Sequence, residues 1–136
     1  MKKMLPFLLL LLLLTGCAQK LDGDGMVGKT TYVQIDQEKA KAMMTVNDGH
    51  VIVDVRRQDE YDSGHIPGAI LIPNESITDT KPEQLTDLEQ IILVYCRSGN
   101  RSKQAAEKLF RMGYTAVYEF GGILDWDGDI VAGETP

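Results

Sequence analysis

The chain has 136 residues, with 14 Lys+Arg against 20 Asp+Glu, two His and two Cys. That length holds one small domain and excludes a multidomain enzyme. A content of 43% hydrophobic and 25% charged residues is that of a globular chain rather than a disordered one, and the formal charge of −6 speaks against a nucleic-acid partner held through its phosphates.

Met1-Lys2-Lys3 is a short basic start, and Leu5 to Leu14 is an apolar run without a charge. At ~1.5 Å per residue such a run covers about half of a ~30 Å hydrocarbon layer, too little for a spanning helix. A basic start followed by an apolar core of this length reads as a secretory signal. The next residues, Leu14-Thr15-Gly16-Cys17, resemble a bacterial lipobox. That resemblance implies removal of residues 1–16 as a lipoprotein signal peptide and acylation of Cys17. The protein is then exported, lipid-anchored to a bacterial membrane, with its domain outside the cytoplasm. Loss of Lys2 and Lys3 would leave 12 of the 14 basic residues against 20 acidic ones, a formal −8. With no polybasic patch, lipid must do the anchoring. Residues 17–30 then read as the lipidated cysteine and a flexible linker containing Asp22-Gly23-Asp24-Gly25, and 31–136 as the folded domain.

Tyr32 to Ile35 alternates as a strand does, and Asp36 is placed to cap a helix carrying Ala40, Met43 and Met44 at helical spacing. After the turn Asn47-Asp48-Gly49, Val51 to Val55 is a nearly continuous β-branched run, the pattern of a strand buried on both faces of a parallel sheet. Ala69 to Ile72, Ile91 to Tyr95 and Ala116 to Tyr118 repeat the theme. Ser102 to Met112 reads as an amphipathic helix. Ala105, Leu109 and Met112 make its apolar face, Ala106 and Phe110 widen it, and Gly113 ends it. Strands alternating with helices predict an α/β sandwich with a parallel sheet. Ligands of such sheets bind beyond the carboxyl ends of the strands, which points to the residues after Val55 and after Tyr95.

Cys96 stands at the second of these places, followed by Arg97-Ser98-Gly99-Asn100-Arg101-Ser102 and then the helix. Ser98, Gly99 and Asn100 are small or turn-forming, so the backbone can curl its N–H groups inward. The helix start near Ser102 adds its positive end, and Arg97 and Arg101 add two permanent charges. A thiol in that field should ionise below its ordinary ~8.5, which makes the segment a nucleophile cradle for an anionic substrate. Compartment argues the same way. Outside the cytoplasm a spare thiol is an oxidation hazard, and a lipidated Cys17 cannot pair with it, so no disulfide is expected.

Three segments together resemble the signatures of single-domain rhodaneses, a family of sulfurtransferases. They are the loop Cys96–Ser102; Asp54-Val55-Arg56 with Asp59-Glu60-Tyr61 and Gly64-His65-Ile66-Pro67-Gly68-Ala69; and Gly121-Gly122-Ile123 leading to Trp126. The resemblance runs from about Tyr32 to Val131. It implies a three-layer α/β/α sandwich with a central, mainly parallel sheet, and a Cys96 persulfide as the working intermediate. The thiolate would attack the outer sulfur of a small anionic donor such as thiosulfate, and sulfite would leave. An acceptor (cyanide, or a thiol, including a protein thiol) would then remove the sulfur, with no metal or cofactor. Arg97, Ser98, Gly99, Asn100, Arg101 and Ser102 would hold the anionic sulfur species.

Two other functions share these residues. A Cys-x5-Arg phosphatase has a longer loop, whereas four residues separate Cys96 from Arg101; the smaller cradle suits a sulfur atom better than a phosphoryl group. A non-catalytic sulfur-carrier or binding module would be marked by loss of the cysteine, and Cys96 is present. Asp54 and Arg56 read as a hydrogen-bonded pair that organises loops near the site. His65 reads as a turn residue, and with His50 far along the chain and no second thiol there is no zinc ligand set. Asp125, Asp127 and Asp129 imitate an EF-hand, but Ile130 stands where Gly is needed and Pro136 where Glu is needed. Trp126 reads as a core or rim residue covering the sheet.

Overall fold

A computed structural model describes residues 31–136. The signal segment, the Cys17 lipid site and the linker lie outside the described residues. The domain opens with β1 (Val33–Gln34) and passes at once into α1 (Gln37–Met44), where Asp36 accepts the Lys39 N–H at 2.7 Å as the helix cap. That early cap is why β1 is shorter than the alternating run Tyr32–Ile35 suggested. Ile35 N–H still reaches the Glu119 carbonyl at 2.9 Å. There follow β2 (Val51–Asp54), α2 (Gln58–Ser63), β3 (Ala69–Leu71), a 3-10 turn (Asn74–Ser76), β4 (Ile91–Cys96), α3 (Asn100–Arg111), β5 (Ala116–Gly122) and a closing 3-10 turn (Ile123–Asp125).

All five strands are parallel, in the order β1-β5-β4-β2-β3. β4 is central, and its residues alternate between two cores. Ile92, Val94 and Cys96 face Ala105, Ala106 and Leu109 of α3, while Leu93 and Tyr95 face Ala40 of α1 and Tyr61 of α2. Every one of these side chains is buried, which explains a strand without polar alternation. The result is the expected three-layer α/β/α sandwich.

Strand order also fixes where a ligand can bind. From β2 the chain moves out to β3 at one edge, and from β4 it moves to β5 on the other side, so the crossovers diverge between these neighbours. A crevice opens outside the carboxyl ends of two strands at such a switch point. Val55 follows one of those ends and Cys96 closes the other.

Candidate active site

Cys96 is the last residue of β4 and is 1% exposed. Beyond it the chain curls through Arg97 and Ser98 to Gly99, whose φ of +108° turns it directly into α3. The helix therefore begins at Asn100, two residues before the sequence pattern placed it. This curl aims the Gly99 N–H at the Cys96 Sγ, at 3.0 Å, and brings the Ser102 Oγ to 3.4 Å from the same sulfur. Burial pushes the thiol up, but the Ser102 hydroxyl and the N–H groups of Ser102, Gly99 and Ser98 outweigh it and hold the thiol below its ordinary value. Of the field anticipated from loop N–H groups, helix start and arginines, the hydrogen bonds supply the depression.

Arg101 does not present a bare charge. Its Nη1 and Nη2 bind Glu60 Oε2 and Oε1 at 2.7 and 2.9 Å, a bidentate pair between α3 and α2. The guanidinium in turn holds the Glu60 carboxyl down to about 2. Arg97 is exposed, and its carbonyl accepts the Leu124 N–H at 3.2 Å, which ties the loop to the closing turn. Ser98 and Asn100 lie exposed at the rim, while Gly99 and Ser102 are buried beneath them.

The floor of the loop is β5. Its register against β4 slips between Val94, paired with Glu119, and Cys96, paired with Gly122, so β5 carries one extra residue there. A Cβ on Gly122 would lie 2.0 Å from the Arg97 carbonyl oxygen, so only glycine lets the loop rest on this strand. The bulge also shapes the surroundings of Glu119, which is 3% exposed. Its Oε1 takes the Ser102 hydroxyl at 2.6 Å and the Gly121 N–H at 2.8 Å.

Asp54 and Arg56 form a buried pair at the end of β2. Arg56 Nη2 meets Asp54 Oδ2 at 2.7 Å and the Gly64 carbonyl at 2.6 Å. The pair fixes the Gly64–Ile66 turn beside Tyr95, whose hydroxyl accepts the Ile66 N–H at 3.0 Å. Its hydrogen bonds serve that turn and none goes to the Cys96 sulfur. His65 is fully buried and stacked on Tyr61 at 3.7 Å, with its backbone bridged to Val131. Trp126 is half-buried against Phe120, with ring centroids 5.9 Å apart. Among the described residues no three His, Cys, Asp or Glu side chains are grouped as metal ligands.

Two residues of the site had no role assigned from sequence: Glu60, quoted only within the second signature segment, and Glu119. Glu119 carried a signal: the strand period places it on the same face as Val117, under α3, where a carboxylate needs a donor.

Residues 36–129 match the model of the rhodanese-like domain, and residues 1–18 match that of the prokaryotic membrane lipoprotein lipid attachment site. The thiosulfate sulfurtransferase GlpE of Pseudomonas syringae is 37% identical over 93 residues, covering 68% of this chain and 84% of that one. The thiosulfate sulfurtransferase PspE of Escherichia coli is 38% identical over 73 residues, covering 54% and 70%. A solved rhodanese with anions from E. coli superposes with a TM-score of 0.57 at 36% identity, covering 62% of this chain and 99% of that one. With its sheet order, its cysteine loop and these matches in agreement, the chain belongs to the rhodanese-like domain family.

Proposed function

We propose that this protein is a membrane-tethered sulfurtransferase. It moves a sulfane sulfur from a small anionic donor such as thiosulfate to a nucleophilic acceptor, carried in between as a persulfide of Cys96. The observation that carries this reading is a single buried thiol with loop N–H groups aimed at its sulfur. Such groups favour the thiolate first and the anionic outer sulfur of the persulfide afterwards. In the first half-reaction the thiolate bonds to the outer sulfur of the donor, and the bond to sulfite breaks with its electron pair. In the second, cyanide or a thiol takes that sulfur and the pair returns to Cys96.

Four residues between Cys96 and Arg101 leave a cradle smaller than that of a Cys-x5-Arg phosphatase, and Arg101 is gripped by Glu60 rather than free to clamp phosphate oxygens. The lipid-attachment match at the amino terminus supports tethering through acylated Cys17.

Purified full-length protein in detergent is expected to convert thiosulfate and cyanide to thiocyanate. Mass spectrometry after thiosulfate alone should find one added sulfur, on Cys96. Cys96→Ser should remove both signals, and undiminished turnover by that variant would overturn the mechanism.

A further inference from the structure

Glu119 is a buried carboxylate to which the transfer steps give no task. Its neighbour Ser102 has one hydroxyl proton and four polar partners in reach: Glu119 Oε1 at 2.6 Å, the Gly99 carbonyl at 3.0 Å, the Gly121 carbonyl at 3.3 Å and Cys96 Sγ at 3.4 Å. When Cys96 is a thiol the bonds run one way. The S–H donates to Ser102 Oγ, and the Ser102 O–H donates to the Glu119 carboxylate. When Cys96 is a thiolate it has no proton to give, so Ser102 must turn its own toward the sulfur. Glu119 then keeps its 2.6 Å contact by carrying a proton itself. Both arrangements hold one negative charge in the row Cys96–Ser102–Glu119 and differ only by a proton shift along it. A buried site bears one charge at far lower cost than two.

We propose that Glu119, acting through Ser102, stores the thiol proton of Cys96 while sulfur is loaded and returns it when sulfur leaves. The inference rests on the sulfurtransferase reading above. On loading, the Cys96 proton passes to Ser102 Oγ, and the hydroxyl's own proton passes to Glu119 Oε1. The thiolate pair forms the bond to the outer sulfur, and sulfite departs with the pair of the broken bond. The row now contains an anionic persulfide and a neutral Glu119. When cyanide takes the outer sulfur as thiocyanate, the bonding pair returns to Cys96, and the thiolate recovers its proton by the reverse shift. No external acid or base enters. Glu119 is thus a positioning residue and proton store rather than a group that touches substrate.

The other groups around Glu119 leave this path intact. Lys103 of α3, Asp36 at the α1 cap and Asp125 of the closing turn line with it a hollow of about 340 Å³. Arg101 and Glu60, on the loop side, are committed to each other. The Gly121 N–H shares Oε1 with Ser102.

The test is infrared difference spectroscopy of full-length protein in detergent at neutral pH, before and after thiosulfate, with sulfur on Cys96 counted by mass spectrometry. Loaded protein should show a protonated carboxylic acid band that is absent from Glu119→Gln. Carbon-13 labelling of glutamate carboxyls assigns the band without mutation should that variant fail to fold. Ser102→Ala, which keeps the carboxyl but cuts the path, should load sulfur more slowly, its thiol proton lost to solvent, and at saturating thiosulfate should reach the loaded state without the band. A loaded wild type whose Glu119 is ionised overturns the store, and so does a band that survives in Ser102→Ala. Absence of added sulfur overturns instead the sulfurtransferase reading on which the store depends.

Discussion

Arg101 and Glu60 show how one side chain sets the charge seen by another. The pair is nearly buried, with the Glu60 side chain 16% and the Arg101 side chain 24% exposed. Glu60 ionises at about 2 rather than at 4.5, because the Arg101 guanidinium binds it in two places. A depressed carboxyl stabilises the fold fully above its unfolded value, and that contribution fades as pH falls through 4.5 toward 2. Glu60→Gln should therefore cost on the order of 2 kcal/mol at neutral pH, after allowance for partial exposure. Urea unfolding of the two proteins should converge as the pH is lowered to about 2, and a gap unchanged across that range would contradict the pairing. Removing the other partner acts on the reaction. Arg101→Ala leaves a carboxylate beside the cradle with no cation to answer it, which repels an anionic donor. We expect KM for thiosulfate to rise about tenfold, the change that about 1.4 kcal/mol produces. Steady-state kinetics checks it, and an unchanged KM would mean that the loop N–H groups alone select the anion.

The elements differ in how far sequence revealed them, and the difference has a physical basis. β4 and α3 were legible because each repeats one local rule: unbroken burial in the strand, an apolar face every third or fourth residue in the helix. The start of α3 was missed because Gly99 takes a left-handed φ, which ends the loop abruptly and draws Asn100 and Arg101 into the first turn. Cys96 was legible as the residue at a strand's carboxyl end. Its partners were not, since Ser102 meets Glu119 across 17 residues and Arg101 meets Glu60 across 41. No local spacing encodes such contacts. The same holds for Gly122, whose task is to let β5 lie directly beneath the loop. Gly122→Ala places a Cβ 2.0 Å from the Arg97 carbonyl, so loop and strand must part. A displacement of about 1 Å at reacting atoms costs about a hundredfold in rate, and turnover should fall at least that far. Retained Cys96 persulfide formation at the wild-type rate would show that the loop is not seated by this contact.

At the scale of the molecule, a wholly parallel sheet has a chemical edge and an entry edge. Val33 pairs with Tyr118, which pairs in turn with Leu93, so the chain joins the sheet three strand positions before Cys96. At ~3.3 Å per residue that is about 10 Å, directed away from the loop. On the proposed anchoring at Cys17, a tether of residues 18–30 would therefore meet the domain below the level of the thiol rather than at the loop. Fully extended, those 13 residues reach at most about 45 Å. The excess of acidic residues keeps the domain off an anionic lipid surface rather than on it. On that anchoring, both effects would turn the rim of the Cys96 loop, where Arg97, Ser98 and Asn100 are exposed, toward solution rather than toward the membrane. The full-length lipoprotein should then react with a bulky polyethylene-glycol maleimide at Cys96 as fast in anionic vesicles as after detergent release, since Cys96 is the free cysteine of the described domain. Marked protection in vesicles would place the loop against the bilayer and overturn this orientation. Cys17→Ala should leave unacylated precursor, seen by mass spectrometry as loss of the acyl chains, and unchanged acylation would overturn the lipobox reading.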